Sequence, residues 1–330
     1  MFKPLVGCYK QLKFNINIRS LLYTAEHKLT EREIMDDSTR LGYLAAFGAV
    51  LIWSGFILVS RMGGISPLLS YDVIAIRYAT CAALVLPFWL FKFRFKLWQP
   101  KFIICSLFGG LGYALFAFQG FETTPGSQSA VLLPGLIPVM IIVLSVVINK
   151  QGHPWTKWLG VGIITLGVVV LFLQEFLAQG TLSIGHLSLT GAAFCWGIFS
   201  VLLSRWQVTP WQATASLAII TCTIYMPIYL LFLPSNISLE LINTGLWRDM
   251  LLQSFYQGFM ATIVQMLLYV RAVQVIGAAN MGTMMAMVPV IAGISALFVF
   301  DEPVKLSLII AMIAVSIGVW FANTQYFNRG

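Results

Sequence analysis

Arg77 stands about ten residues into an apolar stretch that opens at Pro67, roughly 15 Å along a helix rising 1.5 Å per residue. If that stretch crosses a bilayer, the guanidinium lies near the midplane. An arginine there costs about 3 kcal/mol or more unless it faces water or a partner. Two chemistries fit it. The planar fork could clamp a carboxylate or phosphate on a substrate through paired donors. It could equally tie the interior together by bonding carbonyls, or an acid such as Asp72 about a turn and a half away.

Other polar residues in apolar surroundings extend the list. In the stretch around 248–270, Ser254, Gln257, Gly258, Ala261, Thr262 and Gln265 share one helical face, opposite Phe255, Phe259, Ile263, Met266 and Val270. Amides turned to hydrocarbon would be left unpaired, so this face lines a cavity or bonds a neighbouring helix. Two further stretches answer one another: GSQSAVLLPGLIP at 126–138 and GAANMGTMMAMVP at 277–289. They place Gln128 and Ser129 in one copy and Asn280 in the other. Ser129 and Asn280 each lie three residues after the opening glycine, so they are candidates to converge on one site; hydrogen bonding at a helix end is the plainer role. Met284, among Met281, Met285 and Met287, offers a flexible thioether wall or ordinary packing. Trp53 and Trp196 are too deep to be interfacial anchors and either stack on a planar substrate or pack in the core. Tyr113 sits among Gly109, Gly110, Gly112 and Ala114, a small-residue helix suited to close approach, and could point into the same cavity. Asp72 is the candidate for proton coupling, although no acid falls at a midplane.

Enzyme chemistry is poorly served. There is no HExxH, no paired intramembrane aspartates and no nucleotide-binding loop. The histidines (His27, His153, His186) fall in a tail, a link and near a span end, and the five cysteines show no CxxC spacing. No metal site and no cofactor are expected, and the protein is read as a non-enzyme.

The elements that must position these residues follow from composition. Of 330 residues, 59% are hydrophobic and 10% charged, with a mean hydropathy of +0.86. Soluble domains carry about 25% charge. Apolar runs of the length between Arg40 and Arg61 satisfy their backbone in lipid only as helices. The fold class is an all-α polytopic membrane protein with ten transmembrane helices. Its spans are near 41–61, 67–90, 101–120, 126–148, 156–174, 184–204, 211–233, 248–270, 278–300 and 305–323. Residues 1–40 form a basic cytoplasmic tail, in which Leu5, Tyr9, Leu12 and Ile16 fall at helical spacing; a solvated tail and a start at Met35 are alternatives.

With the N-terminus inside, the inner segments hold sixteen Lys and Arg residues against three in the outer links, Arg61, Arg248 and Lys305. That bias puts both termini in the cytoplasm and needs an even number of spans. The net charge of +8 is thereby an orientation signal, and no nucleic-acid partner is expected. Ten spans with an internal repeat mean five plus five, at 41–177 and 178–324 with a C-terminus at 325–330. Because five is odd, the second half crosses in the opposite sense: two inverted five-helix repeats. AAFCWGIFSVLLSR echoes AAFGAVLIWSGFILVSR, and the second span of each half opens at Ser66-Pro67 or Thr209-Pro210.

IWSGFILVSR, the arginine within DVIAIRYATCAALV, and the two Gly…Pro spans, in that order on a five-plus-five frame, resemble EamA-type members of the drug/metabolite transporter superfamily. The likeness runs over about 41–323. It implies a secondary transporter, often an exporter of amino acids or related metabolites, with substrate held between the halves and both termini cytoplasmic. The expected function is export or exchange of a small metabolite by alternating access across a plasma or inner membrane. The expected partners are the bilayer, a small-molecule substrate, and either a proton or a counter-substrate; the oligomeric state is open. A lipid flippase or a non-transporting scaffold is the alternative. Asn236-Ile237-Ser238 is a formal glycosylation sequon in an outer link.

Overall fold

Long uncharged runs punctuated by Pro, Gly and short basic links produce a bundle of helices, and no strand occurs among the described residues. The computed structural model describes residues 39–180, 183–238 and 245–323. The tail up to residue 38, with its candidate amphipathic helix, and the last residues from 324 lie outside these.

Helix α1 spans Thr39–Ile65, α2 Ser70–Phe91, α3 Pro100–Thr123 and α4 Gly126–Asn149. Then come α5 at Trp155–Gln179, α6 at Ile184–Arg205 and α7 at Pro210–Phe232. Helix α8 begins with Trp247–Gln253 and continues through Ser254–Val264 and Gln265–Met285; α9 is Val288–Val299 and α10 Leu306–Asn323. Among the described residues eight helices are long and apolar enough to cross a membrane, and the last two apolar helices are shorter.

The ninth expected span, 278–300, differs. Helix α8 runs on to Met285, the chain turns at Ala286 and Met287, and α9 starts with Pro289 in its first turn. Proline has no N–H to donate and fits there without loss. The matching stretch of the first half behaves otherwise, since α4 starts at Gly126 and carries Pro134 and Pro138 inside it.

The helices pair head to tail. Along α1 and α8, Gly42 meets Val275 and Ile276, Gly48 meets Leu268, Gly55 meets Tyr256 and Gly63 meets Gln253. Along α3 and α6, Gly109 meets Phe199, Gly112 meets Cys195 and Gly120 meets Leu189. The start of α2 is tied to the end of α7 by the Tyr225 hydroxyl donating to Tyr71 O at 2.9 Å. The end of α2 is tied to the start of α7 by Trp211 Nε1 donating to Phe93 O at 3.2 Å. The start of α4 abuts the end of α9, Gly126 against Ala296 and Phe300.

Helices α5 and α10 meet backbone to backbone. A Cβ on Gly160 would lie 2.6 Å from both Ala322 N and Gly318 O, and one on Gly318 2.8 Å from Gly160 O. Backbone cannot retreat as a side chain can, so small residues are what allow this contact in lipid. Gly160→Leu or Gly318→Leu is expected to cost about 1–3 kcal/mol through overpacking. Gly162→Leu, where an added Cβ meets nothing within 4 Å, is expected to be near neutral. Tryptophan-fluorescence melts of the three variants in detergent separate these outcomes; equal melting temperatures would remove the α5–α10 contact as a source of stability.

Candidate functional site

Arg77 is half-buried on α2, and its guanidinium makes one hydrogen bond among the described residues: Nη1 donates to Gln257 Oε1 at 3.2 Å. Gln257 is fully buried, and its Nε2 donates to Ser60 Oγ at 2.9 Å. Ser60 in turn donates to Phe56 O at 2.6 Å. The glutamine is therefore oriented by its neighbours, with its carbonyl toward the guanidinium and its amino group toward a hydroxyl whose proton is already committed. Aromatic faces complete the surroundings. The Arg77 Cζ lies 5.3 Å from the Phe56 ring centre, 5.7 Å from Tyr78 and 6.0 Å from Phe118, all within cation–π range. The buried Nε has no partner.

Two stretches of π-helix frame this group, Ser106–Gly112 in α3 and Ser254–Val264 in α8. A widened turn frees backbone groups from the usual ladder, and side chains take them up. Gly110 O accepts the Tyr78 hydroxyl at 2.9 Å, Ser106 O accepts Thr221 Oγ1 at 3.5 Å, and Gln257 O accepts Thr262 Oγ1 at 2.7 Å. Helix α2 thus reads one π segment through Tyr78 and the other through Arg77. Gly258 lets α8 approach, because a Cβ there would lie 2.6 Å from Thr80 Cβ.

A separate set of ties closes the end of the bundle where α2 and α4 begin. Asp72 is fully buried and accepts four hydrogen bonds. Its Oδ1 takes the hydroxyls of Tyr229 at 2.6 Å and Ser235 at 2.7 Å; its Oδ2 takes Leu69 N at 2.9 Å and Asn236 N at 3.1 Å. It does not pair with Arg77. Nearby, Arg61 Nη1 donates to Phe121 O at 2.9 Å and Glu122 O at 2.6 Å, capping the end of α3. Glu302, from the α9–α10 link, caps the start of α4: its carboxylate accepts Gly126 N at 2.6 Å, Ser127 N at 2.9 Å and the Ser127 hydroxyl. An acid at a helix N-terminus and a base at a C-terminus both suit the helix dipole. At the corresponding proline turn of the first half stands His153, 2.6 Å from Ser145 Oγ. Burial first, then Lys157, holds that imidazole below its ordinary pKa, so it stays neutral near pH 7.

The remaining sequence candidates divide. Tyr113 and Trp196 lie with ring centres 4.8 Å apart at an interplanar angle of 54°, and Trp53 packs, partly buried, against the same core as Phe56, Tyr78 and Phe118. Ser129 Oγ and Gln128 Oε1 are buried without a partner. Asn280 is not brought to them: its exposed side chain donates to Ile276 O of its own helix at 2.8 Å. Gln265 is buried on the polar face of α8, Phe255 and Phe259 of the opposite face are exposed, and Met284 packs between two core clusters. Ser60, Phe56, Tyr78 and Phe118 were not singled out from the sequence; the Ser-Arg pair shared by α1 and α6 was the available signal for the first of them.

The model of the EamA-like transporter family matches residues 40–173 and again 183–324. The chain belongs to this family. Among relatives of the EamA-like chain is the "Uncharacterized transporter YyaM" of Bacillus subtilis (strain 168), 24% identical over 257 residues, which cover 75% of this chain and 82% of that one. Among solved structures, one protein crystal structure superposes with a TM-score of 0.55 at 19% identity, covering 87% of this chain and 96% of the other. That likeness concerns the fold alone. Two matched stretches, eight helices among the described residues that are long and apolar enough to span, and a transporter relative make the chain an integral, multi-pass membrane transporter of the EamA-like family.

Asp72 can be tested as a tie. Asp72→Ala strands four donors, and a buried donor left unpaired costs about 1–3 kcal/mol. Its melting temperature is expected to fall well below that of Tyr229→Phe, which loses one of these bonds. If Asp72→Asn melts like the parent and only removes the pH dependence of transport, the carboxylate is a coupling group and the structural assignment goes.

Proposed function

We propose that this protein is a secondary transporter of ten spans, exporting or exchanging a small metabolite by alternating access around Arg77. The observation that carries the reading is a mid-helix guanidinium whose one hydrogen-bond partner is a neutral amide. A charge retained at that depth at such cost marks a function.

The helix pairings support an inverted-repeat frame. If α1 to α5 correspond to α6 to α10, the pairs α2–α7, α4–α9 and α5–α10 are each between equivalents. The pair α1–α8 then maps onto α6–α3, and the two π segments fall in corresponding helices, α3 and α8. Each self-pair runs antiparallel where its contacts fix the sense, as inversion requires. The two family matches, 40–173 and 183–324, fall on the proposed halves. The Lys and Arg bias supports both termini in the cytoplasm of a plasma or inner membrane.

In this reading Arg77 binds an anionic group, with Trp53, Tyr113, Trp196 and Met284 as the wall. Gln257 holds Arg77 in place, and Gln265, Gln128 and Ser129 supply neutral hydrogen bonds. Asp72 and Glu302 tie the halves at the outer end, and Trp211 and Arg205 tie them at the inner end through Phe93 O and Ile148 O.

Counterflow in proteoliposomes with a mixed panel of labelled metabolites tests it. Charge-assisted hydrogen bonds contribute about 1.5–3 kcal/mol, so Arg77→Ala is expected to slow exchange by about ten- to a hundredfold. Arg77→Lys, keeping charge without the planar fork, is expected to fall between. Exchange that survives Arg77→Ala unchanged would remove the clamp. Lipid scrambling by the parent, without solute exchange, would replace the carrier with a flippase.

A further inference from the structure

We infer that the solute held at Arg77 is an organic monoanion with a planar apolar body, and not a zwitterion such as a free amino acid. The inference rests on the transporter reading above and narrows it by charge balance. Arg77 carries a full charge against one neutral amide, and its buried Nε is unpaired. A monoanion arriving there cancels the charge inside a low-dielectric site; a zwitterion leaves the total at plus one and brings an ammonium that also needs a partner.

Among the described residues the acids stand toward helix ends and links: Asp72 in the first turn of α2, Glu122 at the end of α3, Glu175 in the last turns of α5, Asp249 at the opening of α8, and Asp301 and Glu302 in the α9–α10 link. Asp72, the one nearest in sequence to Arg77, already accepts four hydrogen bonds. Glu302 is committed to the start of α4. Aromatic faces can hold an ammonium, but those of Phe56, Tyr78 and Phe118 are turned to the guanidinium, and a second cation beside it is repelled.

The body of the solute follows from the wall. Tyr113 belongs to the same core cluster as Phe56, Tyr78 and Phe118, and its ring leans on Trp196 at 4.8 Å. A flat ring bearing a carboxylate presents the acid to Arg77 and its faces to these aromatics.

Three compounds with one phenyl body test the charge: 3-phenylpropionate, phenylalanine and 2-phenylethylamine, in counterflow and in ligand-dependent melting of the purified full chain. The expected result is exchange and stabilisation by 3-phenylpropionate at least about tenfold more effective than by phenylalanine, with none from the amine. Arg77→Gln, confirmed as folded by size-exclusion chromatography, is expected to lose the preference, and Arg77→Lys to keep its direction. Phenylalanine equal to or better than 3-phenylpropionate overturns the inference, and leaves the transporter reading standing where its exchange depends on Arg77. Failure of every aromatic and aliphatic monocarboxylate in a wider panel either to exchange or to stabilise also overturns it. Absence of any solute exchange together with lipid scrambling overturns the transporter reading itself.

Discussion

A guanidinium carried on the middle of a membrane helix must be compensated, and the interior of this bundle is arranged around how little compensation it receives. Arg77 is met by the amide of Gln257, by three ring faces and by no acid among the described residues. Ring faces attract a cation without neutralising it, and an amide dipole falls off faster with distance than a charge. The arrangement holds the side chain in place and leaves its charge largely unspent. A buried ion pair would have done the opposite, since a charge already paired has little left to offer a ligand. Ser60 and Phe56 matter for this reason. By committing the far side of Gln257, they keep its carbonyl pointed at the arginine and make the neutral contact a fixed one.

The ties between the halves are of another kind: Trp211 and Arg205 make them to Phe93 O and Ile148 O at one end of the bundle, and a denser set lies at the other. Asp72 collects four donors from the start of α2, from α7 and from the segment that follows α7. Glu302 supplies the α4 N-terminus with a cap that Pro125 cannot provide, while Arg61 serves the carbonyls that end α3. The α3–α4 turn is therefore held between an acid and a base from different parts of the chain. Opening this end would expose helix termini that have no local cap, so the closed state is stabilised by the ordinary requirement that backbone groups be paired.

Much of this was legible in the chain, for identifiable reasons. Span limits were readable because lipid imposes a length on every helix, and α4, α6 and α10 begin and end close to where the hydropathy changes. Arg77 and Gln257 were readable because polarity in such surroundings has to be explained. The partners of Arg77 were not, since Phe56 and Phe118 look like any apolar residue until α1 and α3 are brought against α2. Ser129 and Asn280 occupy matching places in the repeat, yet Asn280 bonds its own helix and faces outward while Ser129 is buried. Local hydrogen bonding won over sequence symmetry there. The turn at Ala286 and Met287 was missed for a related reason: proline in a helix can be carried inside, as in α4, or used to begin a new one, as in α9, and the residue alone does not say which.

The π segments show why symmetry in such a frame need not give two sites. Under the proposed correspondence, the contact of α2 with the π segment of α8 is the counterpart of the contact of α7 with that of α3. The first is made by Arg77 and Gln257, the second by the Thr221 hydroxyl and Ser106 O. The same backbone opening is answered by a charge in one half and by a neutral hydroxyl in the other. Two arginines so placed would repel one another across the axis and double the desolvation cost; two threonines would give no reason for a charged ligand to enter. One of each leaves a single off-axis charge in an otherwise matched pair of walls. In the proposed alternating access, one half would hold the solute while the frame rocks about its axis, and release would depend on how that half presents Arg77 to water rather than on a partner charge from the other.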